Sequence, residues 1–232
     1  MTMPRVSLLT RAWIAAHRAR RRLAGAPPDR EALAREHAPG RSFLDVGCMW
    51  SVHGRIAFLA EEAGAAPVTG VDVMGETPQY RTEHARRGSA IAFVQGDLHE
   101  PGILARAGRH DVVWCSGVLY HAPHPLLTLE RLREVCGELL ILATETLPEL
   151  PGLRGGCVFY PALGERERDA YRKVPGGSAV GLTTPFDPAQ GYGNWFWGIS
   201  PSALDGMLRA SGFQPLRAIR RPFHTTVLAR PA

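Results

Sequence analysis

The strongest constraint on this chain is an apolar segment ending in an acid, a glycine and a turn that opens a helix: RSFLDVGCMWSVHG at residues 41–54. A second apolar run, VTGVDV, ends in Asp72, twenty-seven residues after Asp45. In an open parallel sheet, acids at the carboxyl ends of the first two strands face the crevice where a nucleotide-like ligand binds.

The rest of the chain repeats this grammar. SFLDVG leads to a predicted helix over roughly 53–64, with Ile56, Ala57, Leu59 and Ala60 inward. Then come strand VTGVDV, a helix over 78–87, strand IAFVQGD, a short helix after Pro101, strand DVVWCSG, a helix over 124–135 and strand ELLILATE. Strands alternating with helices predict a parallel sheet with helices on both faces. In front of it, residues 5–24 place Leu9, Trp13 and Ala16 near one face and arginines opposite, predicting an amphipathic helix, and a short helix follows Pro28 through His37. Residues 1–38 are therefore expected to form a helical lid or cap on a domain spanning 39–232.

After Glu145 the periodicity breaks. Residues 146–199 carry LPELPG, RGG, VPGG and FDPAQGYG together with Phe159, Tyr160, Tyr171, Phe186, Tyr192, Trp195, Phe196 and Trp197. A loop this long in a compact domain is usually a lid or a binding loop, so the insert is expected to face the substrate. Order returns at SPSALDGMLRASGF, where Ser200 or Ser202 can cap a helix that Gly212 ends. FQPLRAI and HTTVLAR then predict an antiparallel pair closing the sheet.

Composition narrows the function classes. With 45% hydrophobic and 21% charged residues, the chain reads as an ordinary globular protein, expected in the cytoplasm and away from membranes. The net charge of +5 comes almost wholly from arginine, since Lys173 is the only lysine. The cluster Arg18, Arg20, Arg21 and Arg22 is read first as a solvated helix face, with phosphate binding second. Cys48, Cys115, Cys136 and Cys157 form no CxxC pair and no metal spacing, so no metal is expected. A dinucleotide fingerprint would need glycines at 47, 49 and 52, where Gly47, Met49 and Val52 stand. No GK[ST] occurs either, which disfavours NAD, FAD and ATP hydrolysis.

The remaining motifs resemble those of the class I S-adenosylmethionine-dependent methyltransferases. LDVGC is similar to the family's first motif, VDV to its second and GDL at 96–98 to its third, while DVVWCSGVLYHAPHP resembles the fourth strand and its loop. The resemblance implies a Rossmann-like sheet of seven strands, mostly parallel with an antiparallel terminal hairpin, and S-adenosyl-L-methionine as cofactor. It further implies cofactor contacts from Asp45, Gly47, Cys48, Asp72, Val73, Gly96, Asp97, Leu98, Ser116, Gly117 and Tyr120. Asp45 and Gly47 would lie beside the methionine portion, Asp72 would accept from the ribose hydroxyls, and Asp97 with Leu98 would read adenine. The glycine loop departs from the family pattern: bulk at Met49 or Trp50 would either narrow the methionine pocket or pack away.

Within the family, GVLYH at 117–121 and NWFWGISPSALDGMLRASGF at 194–213 most resemble the tRNA wobble-uridine carboxymethyltransferases. Those enzymes hold the carboxylate of carboxy-S-adenosylmethionine with an arginine, and His224 stands at that place here, which favours ordinary S-adenosylmethionine.

Methyl transfer needs an aligned acceptor and a base where the nucleophile carries a proton. The candidates are His121 first, then Tyr120, His124 and Glu145; His53 is a further pocket candidate. Against catalysis, His121 can instead bond a backbone carbonyl and shape its loop, and His124 can be a helix-entry residue. Trp195, Trp197 and Tyr160 are candidates for stacking on the acceptor or for core packing. The expected activity is methyl transfer to a small molecule in secondary-metabolite biosynthesis. The competing readings are a non-methylating cyclisation or elimination in the same pocket, tRNA nucleoside modification, and a non-catalytic cofactor-binding partner. A partner subunit or a homodimer is left open.

Overall fold

Strand β1 (Phe43–Val46) is buried at all four residues, and its side chains divide between the two faces of a sheet. The computed structural model describes residues 29–149, 152–172, 184–221 and 223–232. The helix expected over 5–24 and the arginine cluster at 18–22 lie outside the described residues, as does the side chain of Tyr171.

The elements follow in order as α1 (Arg30–His37), β1, α2 (Arg55–Glu62), β2 (Val68–Asp72), α3 (Pro78–Arg87), β3 (Ala92–Gln95), α4 (Ile103–Ala107), β4 (His110–Ser116), α5 (Pro125–Val135) and β5 (Cys136–Glu145). Then come β6 (Cys157–Phe159), α6 (Glu165–Arg172), β7 (Trp197–Ile199), α7 (Pro201–Ala210), β8 (Phe213–Arg221) and β9 (His224–Pro231). Seven strands make one sheet in the order β3-β2-β1-β4-β5-β9-β8. The first five are parallel; β9 runs antiparallel to β5 and β8 antiparallel to β9. The expected α/β class and terminal hairpin are both present.

Period-2 alternation sorts the strand side chains into two cores. Leu44, Val46, Val113, Cys115, Leu140 and Leu142 meet Ile103 of α4, Leu129 and Leu132 of α5 and Leu204 and Leu208 of α7. Phe43, Val112, Trp114 and Ile141 meet Leu33 of α1, Phe58 of α2 and Tyr80 of α3 on the other face. All four cysteines are free, and three are fully buried as small apolar residues.

The chain leaves β1 outward through β2 and β3 and returns at β4 on the opposite side of β1. Val46 pairs with Val71 on one side and Cys115 on the other, so these strands end level. Such a reversal leaves a crevice at the carboxyl ends of β1 and β4.

The insert holds more regular structure than its sequence suggests. β6 and β7 pair as a two-stranded antiparallel ribbon, Cys157 opposite Ile199. Leu147, Tyr160, Trp195 and Phe223 form a third apolar cluster beneath it. Backbone bonds from Phe196 to the Tyr120 carbonyl at 2.8 Å and from Leu147 to the Ile199 carbonyl at 2.9 Å tie the ribbon to the sheet. No helix among the described residues is long and apolar enough to cross a membrane.

Candidate active site

Gly47 ends β1 with φ of 80°, a conformation that side chains oppose. A Cβ there would stand 2.5 Å from Cγ2 of Val118 and 3.2 Å from the Ser116 carbonyl. Glycine thus lets the turn after β1 lie against the turn after β4. The reshaped loop follows: Ser51 and His53 also take positive φ, and α2 starts only at Arg55. Met49 turns into the core, fully buried, and leaves the crevice unobstructed, whereas Trp50 is 62% exposed.

Backbone N–H groups fix the strand-end acids. Asp72 accepts from Met49 at 2.7 Å on one oxygen and from Met74 at 2.8 Å on the other. Asp45 accepts from Ala57, in the first turn of α2, at 3.1 Å. Burial pushes its carboxyl up to about 7; the Ala57 bond opposes that rise and the nearby Asp72 charge adds to it. Asp97 takes the His99 N–H at 2.9 Å on one oxygen and the Tyr192 hydroxyl on the other.

These acids line one cavity of about 550 Å³. Of the proposed cofactor residues, Asp45, Gly47, Asp72, Val73, Gly96, Asp97, Leu98, Ser116, Gly117 and Tyr120 all reach it. Cys48 does not: the turn at Gly47 sends its side chain inward, so close to β2 that a Cβ on Gly70 would stand 2.9 Å from its sulfur. Burial holds the Cys48 thiol far above its ordinary range.

The catalytic candidates separate. His121 lines the cavity, and its Nδ1 lies 2.6 Å from the Asn194 carbonyl, which can only accept. Nδ1 therefore carries the proton and Nε2 keeps its lone pair. Burial lowers the His121 pKa, and the bond to Asn194 opposes that. Tyr120 packs in tilted ring contacts with His121 and Trp195, at 4.2 and 4.4 Å between ring centres. Its phenol is pushed up to about 12, by burial first and then by Glu145. His124 and Glu145 stand outside the cavity lining. His124 is the N-cap of α5, its carbonyl accepting from Thr128 at 3.0 Å, and Glu145 lies 3.4 Å from Nδ1 of His224 across the β5–β9 pair. His53 is likewise drawn away, its Nδ1 3.0 Å from Oγ1 of Thr77.

The three aromatics expected to meet the acceptor, Trp195, Trp197 and Tyr160, stand outside the cavity lining. Trp195 and Tyr160 are buried in the third apolar cluster, and Trp197 donates from Nε1 to the Pro123 carbonyl at 3.1 Å. Tyr192 is the aromatic of the insert that enters the lining. Sequence reasoning also passed over Arg30, which donates to Ser116 Oγ at 3.2 Å, and Arg55, which is ion-paired with Glu31. All of these line the same cavity. Among the described residues no group of three or more His, Cys, Asp or Glu is placed to hold a metal.

Residues 43–138 match the family model described as a methyltransferase domain. That stretch runs from β1 into the start of β5. The ubiquinone biosynthesis O-methyltransferase of Burkholderia thailandensis is 25% identical over 181 residues, covering 78% of this chain and 68% of that protein. That of Bordetella avium is 25% identical over 176 residues, covering 76% and 63%. The chain thus spans about two thirds of the length of these relatives. In fold, the chain resembles the N-terminal domain of EvdMO1 with S-adenosylhomocysteine bound, at TM-score 0.58 and 16% identity over 88% of this chain and 81% of that one. Burkholderia thailandensis 1,6-didemethyltoxoflavin-N1-methyltransferase, with 1,6-didemethyltoxoflavin and S-adenosylhomocysteine, matches at TM-score 0.58 and 16% identity over 97% and 87%. The finer resemblance to tRNA wobble-uridine carboxymethyltransferases is carried by none of these matches.

Proposed function

We propose that this chain binds S-adenosylmethionine in the cavity at the ends of β1 to β4 and transfers its methyl group to a hydroxyl of a small molecule. The observation that carries the reading is the convergence of three strand-end acids, Asp45, Asp72 and Asp97, on one cavity. The residues suit the cofactor. A carboxylate offers about four lone-pair sites, and Asp72 spends two on backbone N–H groups, so two remain for the vicinal hydroxyls of a ribose. A volume of about 550 Å³ falls within the roughly 300–1,000 Å³ usual for ligand pockets. Val73 and Leu98 offer apolar faces to a purine, Asp97 an acceptor to its edge, and Arg30 a cation to the amino-acid carboxylate.

When bound, the cofactor supplies the methyl group on a sulfonium. The protein's own part is to exclude water, orient the acceptor and take a proton. His121 is suited to the last task, because its Nδ1–H is committed to Asn194 and its lowered pKa keeps the ring neutral. The O-methyltransferase relatives and the small acceptor in the toxoflavin enzyme's structure support a small-molecule acceptor here. α1 contributes Arg30 and Glu31 to the cavity.

Calorimetric titration tests this. Wild type is expected to bind S-adenosylmethionine and S-adenosylhomocysteine, and Asp72→Ala to bind both more weakly. In a screen of small phenols with mass detection of a methyl gain, His121→Ala is expected to keep cofactor affinity while turnover falls about 10²–10⁴-fold, the usual worth of a general base. Cofactor binding with turnover supported equally by S-adenosylhomocysteine would replace methyl transfer with a non-methylating reaction.

A further inference from the structure

Tyr192 sits where the insert meets the end of β3, and both neighbours of its loop are fixed. Its hydroxyl donates to Oδ2 of Asp97, whose Oδ1 takes the His99 N–H at 2.9 Å. One residue on, a Cβ built on Gly193 would stand 3.9 Å from Cη2 of Trp50, so the loop also rests on the turn after β1. The loop is braced from within: the buried Asn194 side chain accepts from Asp187 N at 2.9 Å and donates to the carbonyls of Asp187 and Gly191 at 2.6 and 3.1 Å. The Asn194 carbonyl in turn receives His121. One internally braced loop thus carries Tyr192 into the cavity lining and orients His121 in the same lining.

The hydrogen-bond chemistry at Tyr192 is one-sided. A phenol that gives its only proton to Asp97 has just oxygen lone pairs left, and the carboxylate beside it is an acceptor as well. Two acceptors side by side call for a ligand edge with two N–H donors. We infer that Tyr192 is a cofactor-positioning residue supplied by the insert, which together with Asp97 selects a purine bearing an exocyclic amine over one bearing a carbonyl. This rests on the reading of the cavity as an adenosyl-cofactor site. A carbonyl in the place of the amine would have to draw the Tyr192 proton away from Asp97, and giving up that charge-assisted bond opposes the oxo purine.

The test is calorimetric, with S-adenosylhomocysteine and its 6-oxo analogue S-inosylhomocysteine titrated into wild type, Tyr192→Phe and Asp72→Ala. Wild type is expected to favour the amino ligand. Tyr192→Phe, with an unchanged thermal transition when free of ligand, is expected to weaken about tenfold toward the amino ligand, about one hydrogen bond's worth, and little toward the oxo ligand, narrowing the preference. Asp72→Ala is expected to weaken both equally. Unchanged binding of both ligands by Tyr192→Phe would overturn the inference and leave the cofactor reading standing. Equal losses for both would overturn it too, by reducing the hydroxyl to a brace of the loop. If wild type binds neither ligand, the cofactor reading itself fails, and the inference with it.

Discussion

A carboxyl group that is only 2% exposed, as at Asp45, opposes its own ionisation. With its pKa up at about 7 in the folded chain and near 3.9 in an unfolded one, Asp45 keeps a proton between about pH 4 and 7 that the unfolded chain has released. The folded state binds more protons in that window, so this group's stabilising share is greatest below the unfolded pKa and is lost as pH rises through about 7. Asp45→Asn keeps an oxygen to accept the Ala57 N–H and removes the titration. In urea denaturation, the stability of Asp45→Asn relative to wild type is expected to rise by roughly 2–3 kcal/mol between pH 5 and pH 8. Parallel pH dependence in the two proteins would show that the carboxyl titrates normally. An acid held at such a cost in a cavity is the kind of group that functional sites collect.

The glycine loop is held open from outside, by α3. Thr77 caps that helix by accepting from Tyr80 N at 3.1 Å, and the same hydroxyl meets Nδ1 of His53, a residue with φ of 49°. Thr77→Ala removes both, and is expected to lower stability by about 1 kcal/mol for the cap and to weaken cofactor affinity by loosening the turn that delivers Met49 N–H to Asp72. Thermal unfolding and calorimetry read the two effects; a stability loss with unchanged affinity would detach His53 from the site. The bounds of α3 were legible because local signals set them: Thr77 before, Pro78 at the first turn, Gly88 in left-handed conformation after. The buried strands were legible for the same kind of reason, each being a continuous apolar run. β6 and β7 were not, since three-residue strands carry no usable period and their pairing joins residues forty apart in sequence. Cys48 was expected at the cofactor from its place in the LDVGC motif, but the positive φ at Gly47 turns its side chain into the core. Trp195 and Trp197 read equally as core or as site, and it is the packing of Trp195 with Leu147 and Phe223, and of Trp197 against the core of α5 and α7, that sets them among apolar neighbours.

Two large cores clamp the sheet, while among the described residues the insert rests on a third cluster of four buried residues, so the molecule is built from parts of unequal stability. The weaker part is the one that carries Tyr192 and orients His121. Trp195 is its keystone, in contact with Tyr120 at 4.4 Å and with Tyr160 at 6.0 Å between ring centres. Truncating a buried tryptophan costs about 3–5 kcal/mol, and here that loss falls on a unit able to open without unfolding the sheet. Hydrogen exchange of Trp195→Ala is expected to lose protection at the Phe196 amide, bonded to the Tyr120 carbonyl, and at the Tyr160 amide, bonded to the Phe196 carbonyl. The Gly47 amide, bonded to the Val71 carbonyl between β1 and β2, is expected to keep its wild-type rate. A uniform fall in protection across both regions would mean that the insert and the sheet unfold together, and that the loop over the cavity is as fixed as the floor beneath it. Selective loss would instead make opening of the insert a local event, separate from unfolding of the sheet.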